Sequence, residues 1–194
     1  MTDQELIAGI IARDKHAVQF LVSHYHKQVI KTAHHFVRNM DDAEDLAQDV
    51  CIEILESVRH FKGSSSLSTW IYRVTVNKSL NFVRKNKRKQ LIGQVESIFK
   101  RSNGINENMV PEPSVIDNTF DDKERRQILD KSINSLPENQ RIAFVLNKYE
   151  DLPYKQIAEI MNVSIASVES LLQRAKQNLQ KRLIHQFSEY SIKK

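Results

Sequence analysis

The chain has 194 residues, with 29 Lys and Arg against 24 Asp and Glu, a net charge of +5 and a pI near 9.3. Mean hydropathy is −0.49, and no apolar run approaches the roughly 18 residues of a bilayer span, so membrane insertion is not expected. Only 4 Gly and 4 Pro exclude collagen-like, broadly disordered and turn-rich all-β chains, and a single Cys51 excludes an internal disulfide or a Cys-rich zinc site and fits a reducing cytoplasm.

The opening MTDQELIAGI is acidic and lacks a basic n-region, so no secretory signal is expected. Val18, Leu21, Val22, Tyr25, Val29, Ala33 and Phe36 then recur at helical spacing and predict a first amphipathic helix. A second stripe runs Ala43, Leu46, Ala47, Val50, Ile54, Leu55, Val58, with Asp41 or Asp42 expected as its N-cap. The carboxylates of 41–49 lie around several faces of one helix with no His or Cys at ligand spacing. They read as an acid-rich helix start or a docking surface for a basic partner, not as a metal site. Lys62-Gly63-Ser64-Ser65-Ser66 breaks the pattern. Leu67, Trp70, Ile71, Val74 and Leu80 form a third stripe ending in the basic run Arg84-Lys85-Asn86-Lys87-Arg88-Lys89. Such a run suits a helix C-terminus and equally suits phosphates. Trp70 lies on the apolar stripe and Tyr72 does not. Aromatics beside a basic groove can stack on unpaired bases, or can simply pack a core.

The middle of the chain changes character. Residues 90–120 hold Gly93, Gly104, Pro111 and Pro113, and 91–123 carry a net −3 between flanking blocks of +4 each. This composition predicts a linker. Beyond it, a helix over Asp121–Ile133 is broken at Leu136-Pro137, and Asn139–Tyr149 forms the next. Glu150-Asp151-Leu152-Pro153 is a turn. Tyr154–Met161 is a short helix with Ile157, Ala158 and Met161 on one side, and Asn162-Val163-Ser164 is a turn. Ile165, Val168, Leu171, Leu172, Ala175, Leu179 and Leu183 mark a long last helix with Ser164 as N-cap. A short helix, a three-residue turn and a longer helix with polar outer positions form a helix-turn-helix, with Ala158 allowing close packing and Val163 expected to plug the corner. The outer positions Ala166, Ser167, Glu169, Ser170, Gln173, Arg174, Lys176 and Gln177 can enter a major groove. A plain helical hairpin in an interaction module has the same spacing.

The fold expected is therefore all-α: two small helical domains, 1–89 and 121–188, joined by a flexible linker 90–120 and followed by a tail 189–194. No alternating strand pattern and no internal repeat appears. His24/His26 and His34/His35 have the wrong spacing to share a metal on one helix face. With no Gly-rich phosphate loop, nucleophile motif or carboxylate pair, neither an enzyme nor a cofactor is expected.

Three segments in order resemble the extracytoplasmic-function (ECF) sigma factors of bacterial RNA polymerase. They are DAEDLAQDV at 42–50; Phe61-Lys62-Gly63 through Ser68-Thr69-Trp70-Ile71-Tyr72-Arg73 and Asn77; and Leu136-Pro137-x-x-Gln140-Arg141 followed by Tyr154-x-x-Ile157-Ala158 and Val163-Ser164-x-x-Ser167-Val168-Glu169-Ser170. The resemblance implies an initiation factor that takes core RNA polymerase to promoters. Asp42, Asp45, Leu46, Gln48 and Asp49 would dock on the clamp helices of the largest subunit. Lys62, Gly63, Ser64, Ser65, Ser66, Trp70, Tyr72, Arg73, Asn77, Arg84, Lys85, Lys87 and Arg88 would melt and read the −10 element. Ser164, Ala166, Ser167, Glu169, Ser170, Gln173, Arg174, Lys176 and Gln177 would read the −35 duplex. It also implies a contact with the polymerase flap, an anti-sigma factor as a further partner, and a cytoplasmic site of action. Cys51, Asn81, Glu169 and Leu171 depart from the family's common residues at their positions. Two rival readings are a stand-alone helix-turn-helix regulator, which would bind duplex DNA tightly by itself, and an interaction adaptor, which would show no salt-dependent DNA affinity.

Overall fold

Thr2 and Glu5 close a reciprocal capping box: the Thr2 hydroxyl accepts from the Glu5 N–H at 3.2 Å, and the Glu5 carboxylate accepts from the Thr2 N–H at 2.7 Å. They start a helix, α1 (Asp3–Ile11), that the stripe analysis does not anticipate. The computed structural model describes residues 1–101 and 122–192. After α1 come α2 (Lys15–Val37), α3 (Met40–Ser57), a 3-10 turn Val58–His60, α4 (Leu67–Arg101), α5 (Asp122–Asn134), α6 (Glu138–Lys148), α7 (Tyr154–Met161) and α8 (Ile165–Ile192). No strand occurs among the described residues.

Short polar side chains set the helix starts. Asp14 accepts from the Ala17 N–H at 2.8 Å and opens α2. The cap of α3 is Asn39, whose side chain accepts from the Asp42 N–H at 3.0 Å, rather than Asp41 or Asp42. Asn39 has the extended backbone a cap requires, whereas the two aspartates already lie in the first helical turn, where they suit the helix dipole. Gly9 has a packing reason: a Cβ there would lie 2.6 Å from that of Ala17, so a bare backbone lets α1 fold back on α2.

One core gathers Leu6, Leu21, Val29, Val50, Ile54, Leu67 and Ile71 from α1 to α4. A second gathers Ile133, Leu146, Ile157, Val168, Leu172 and Ala175 from α5 to α8. It is continuous with Phe36 of α2 and Tyr72, Val76 and Leu80 of α4. The two halves of the chain are thus packed on each other, α4 lying against α7.

Five sequence expectations are corrected. Val22 is exposed, because the buried row of α2 runs Ala17, Leu21, Tyr25, Val29, Ala33, Phe36. Val163 is exposed too: the helix-turn-helix corner is made by Asn162, in the left-handed region at φ 54°, and by the Val163 N–H donating to the Ala158 carbonyl at 3.0 Å. Ile165 is exposed, and in α7 Ile160 rather than Met161 is buried with Ile157 and Ala158. Finally, α4 does not end in the basic run. Lys, Arg and Gln are good helix formers, and a single Gly93 at about 1 kcal/mol does not stop it before Arg101. Most of the expected linker, from residue 102 on, lies outside the described residues, as does the end of the tail.

Ile71 is fully buried between the helices of the first core. Ile71→Ala is expected to lower stability in urea melts by about 2–5 kcal/mol, whereas Ile52→Ala, on an exposed face, stays within about 0.5 kcal/mol of wild type.

Candidate functional surfaces

The middle of α3 turns a polar, acidic face outward. Ala43, Leu46, Ala47 and Val50 are buried, which turns Asp45, Gln48 and Asp49 to solvent, with Asp42 half-buried beside them. Leu46 therefore positions this face from beneath, packed with Ala33 and Ala43. Ile52, one turn beyond Asp49 and two beyond Asp45, is 53% exposed and adds an apolar spot beside the carboxylates. Sequence reasoning misses Ile52, although an apolar residue off the buried stripe is its signal. Among the described residues, no three His, Cys, Asp or Glu stand close enough to hold a metal ion.

The loop before α4 is pinned at its base and open at its tip. Phe61 packs on Trp70 with ring centroids 5.4 Å apart. Asp3 accepts from the Leu67 N–H at 3.0 Å, and Ser66 accepts from the Thr69 N–H at 3.1 Å to cap α4. Between these points Lys62, Gly63 and Ser64 are exposed, Ser65 is half-buried, and Gly63 is left-handed at φ 70° with open space around it. Along α4, Trp70, Arg73, Asn77, Asn81, Arg84 and Arg88 recur at three- or four-residue steps or multiples of them and form one stripe, with Lys85 and Lys87 exposed alongside. Tyr72 lies on another face and is buried, 7% exposed, against the second half of the chain.

In α8, the Ser164 hydroxyl accepts from the Ser167 N–H at 3.1 Å and caps the helix. Val168, Leu172, Ala175 and Leu179 face inward. Ala166, Glu169, Gln173 and Gln177 consequently line the outer face, with Arg174 and Lys176 exposed and Ser167 and Ser170 half-buried at its edges. The face offers donors, acceptors and two cations around one carboxylate, the mixture suited to base edges flanked by phosphates.

Comparison with known proteins bears on all three surfaces. Residues 21–89 match Sigma-70 region 2, and residues 126–179 match Sigma-70, region 4. The ECF RNA polymerase sigma-E factor of Escherichia coli (strain K12) is 30% identical over 181 residues, 91% of this chain and 92% of that protein. The chain belongs to the ECF sigma factors. The RNA polymerase sigma-H factor of Pseudomonas aeruginosa is 26% identical over 93% of each chain. CnrH, solved in complex with the cytosolic domain of CnrY, shares the fold with a TM-score of 0.66 at 17% identity, over 94% of this chain and 97% of CnrH. The sigma factor RpoE of Bartonella quintana, solved with the anti-sigma factor NepR, has a TM-score of 0.56 at 23% identity, over 84% of this chain and 93% of that one. As a sigma factor this protein is a non-catalytic transcription initiation factor that binds core RNA polymerase and promoter DNA. No described helix is long and apolar enough to cross a membrane.

In this sigma factor, several expected DNA residues are engaged between the halves. Tyr72 donates to Glu150 at 3.3 Å. Arg73 donates to the carbonyls of Glu159 at 2.5 Å and Ile160 at 3.3 Å, a cation on the C-terminal end of α7. Arg84 grips both carboxylate oxygens of Glu138. Glu150, only 3% exposed in its side chain, also lies 3.6 Å from Lys31, whose ammonium donates to the Tyr149 carbonyl at 2.7 Å. Burial raises the Glu150 carboxyl above the usual carboxylate range against the pull of Lys31 and its hydrogen bonds. Burial, then the Glu150 charge, raises Tyr72. His35 stacks on Tyr149 at 4.4 Å. Burial, then Arg38, Lys31 and His34, push it down to about 4, so the ring is neutral at pH 7 and its 3.6 Å approach to Glu150 is not an ion pair there. No local pattern signals this cluster, which joins residues distant along the chain.

A histidine whose pKa falls from 6.5 to about 4 on burial stabilises the packed form above pH 6.5 and loses that contribution as pH falls toward 4. Stability is expected to drop by up to about 3 kcal/mol over that window through His35. Glu150, raised, acts in the opposite sense toward its low end. The difference between wild type and His35→Phe in denaturation at stepped pH isolates the imidazole: the variant should show the shallower fall, and equal slopes would contradict the assignment.

Proposed function

We propose that this sigma factor works by the division of labour its surfaces suggest. The half spanning 1–89 docks on the polymerase clamp helices through Asp42, Asp45, Gln48 and Asp49 of α3, with Leu46 beneath and Ile52 as the apolar centre. The loop Lys62–Ser66 with Trp70, Tyr72 and Arg73, followed by Asn77, Arg84, Lys85, Lys87 and Arg88, opens and reads the −10 element. The half spanning 121–188 sits at the polymerase flap. It reads the −35 duplex through Ser164, Ala166, Ser167, Glu169, Ser170, Gln173, Arg174, Lys176 and Gln177, and residues 90–120 tether the two. The site of action is the cytoplasm.

The observation that carries this reading is the α3 face: carboxylates around an exposed Ile52, turned outward by a fully buried Ala43–Val50 stripe and free of intramolecular partners among the described residues. A stand-alone regulator has no use for it. A half-buried Trp70 and a left-handed Gly63 beside a cationic stripe support capture of an unstacked base, whose extrusion costs a few kcal/mol. Tyr72, Arg73 and Arg84 cannot meet DNA while they hold Glu150, Glu159, Ile160 and Glu138. Docking on polymerase must therefore part the two halves, after which two weak readers on one enzyme gain from effective concentration. An anti-sigma partner, of the kind bound to the solved relative from Bartonella quintana, would act by favouring the packed form.

Core polymerase mixed with the protein should co-elute with it and transcribe selected promoters. Asp45→Ala with Asp49→Ala, and separately Ile52→Ala, should weaken the complex by about tenfold or more, as interface anchors do, without loss of fold. Gln173→Ala and Arg174→Ala should leave the complex intact and cut promoter selectivity, each costing about 1–3 kcal/mol. No complex, together with tight binding of duplex DNA by the protein alone, would reject the reading in favour of a stand-alone regulator.

A further inference from the structure

A cleft of about 340 Å³ lies where the two halves meet; Asp42 and Lys87 on its rim belong to surfaces described above, but its two arginines, Arg38 and Arg141, do not. Arg38 at the end of α2 and Arg141 of α6 line it from opposite halves, with Asn86 and Lys87 of α4 and Asn134 of α5, beside the rings of Phe36 and Phe82. Arg141 is 5% exposed, and its guanidinium lies over the Phe36 ring, 5.6 Å from the centroid. Its Nε has no acceptor among the described residues. Arg38 gives one nitrogen to Asp130 at 2.5 Å, but its Nε and Nη2 are buried without an acceptor among the described residues. The Asn134 side-chain oxygen is likewise buried with no donor among them, and that amide can be turned to present its NH2 instead.

Buried donors in folded proteins find acceptors almost without exception, and buried charges find counter-charges. Here two guanidiniums converge and oppose each other: burial, and then the charge of Arg38, hold Arg141 below the usual guanidinium range, with Glu138 acting the other way. The carboxylates do not settle the balance. Among the described carboxylates, Asp130 is committed to Arg38 and Glu138 to Arg84, and Asp42 in the cleft wall is one charge against the three of Arg38, Lys87 and Arg141. A positive excess with unpaired, forked N–H groups is what a tetrahedral oxyanion satisfies, since it accepts several charge-assisted hydrogen bonds at once.

We propose that this cleft binds a compact phosphate-type oxyanion, bridging Arg38 of one half to Arg141 of the other and so holding the sigma factor in its packed form. The chemistry is that of free phosphate or pyrophosphate, or equally of the phosphate end of a nucleotide. Because the ligand touches both halves, its binding and their packing are linked: whatever occupies the cleft shifts the chain toward the packed form.

The test is calorimetric titration of the full-length protein with inorganic phosphate, pyrophosphate and ADP in a chloride background of constant ionic strength, with small-angle scattering on the same samples. Saturable one-to-one binding is expected with Kd below about 1 mM, together with a fall in radius of gyration toward one compact value. Arg38→Asn keeps a residue that tolerates the left-handed backbone at this position, φ 61°, so it should fold even if Arg141→Gln does not. Either variant should weaken binding by about tenfold or more and abolish the compaction. Tighter binding of ADP than of pyrophosphate, with the same arginine dependence, would assign the site to a nucleotide; equal or weaker binding of ADP would assign it to the free anion. Absence of saturable binding by all three anions, or binding unchanged in Arg38→Asn, would overturn the proposal.

Discussion

One helix has to satisfy two cores, and the rest of the molecule follows from that. Leu67, Ile71 and Val74 of α4 enter the first core, while Tyr72, Val76 and Leu80 enter the second. Between them the buried Thr75 and Ser79 hydroxyls donate to the carbonyls one turn back, each at 2.8 Å, so the helix can bury polar side chains on a shared face without an unpaired group. What remains for solvent is the narrow stripe of Trp70, Asn77, Asn81 and Arg88, with Lys85 and Lys87 alongside. The surface proposed for DNA is therefore the residue of a packing problem, and its neighbours Tyr72, Arg73 and Arg84 are shared between the two halves.

The contact between the halves mixes an apolar floor with a polar ring. Phe36, Val76 and Leu80 supply burial. Glu150, Lys31, Tyr72 and the arginines supply direction. Buried ionic groups contribute little net stability, because desolvation offsets their attraction, but removing one partner is costly. An interface of this kind holds one arrangement firmly and can still be opened by a partner that offers the same groups better company. The proposed mechanism needs that combination, since it has the protein folded both with its halves together and with them apart on polymerase.

Much of this was legible in the chain. The stripes of α2 and α3 and the helix-turn-helix follow from local periodicity, and the structure places them within a few residues of their expected bounds. Helix α1 escapes a periodicity reading because its signal is a cap, Thr2 with Glu5, rather than a stripe. Val22 and Val163 stand outside the core because hydrophobicity alone does not say which of two adjacent rows is buried, nor that Asn162 can turn the corner. The α3 carboxylates stand out in sequence, whereas Ile52 becomes visible only once the buried row is known. Nothing local marks Glu150, His35 or the pair Arg38 and Arg141, because their meaning depends on partners brought from the other half of the chain.

The account rests on the two halves being packed in the free protein and parted on polymerase. Pulsed electron–electron resonance between spin labels at Gln19→Cys and Gln177→Cys, in a Cys51→Ser background, measures this directly. A single narrow distance in the free protein, replaced by a longer one when core polymerase is added, is the predicted result. The same distance in both states, or a broad distribution without polymerase, would contradict it.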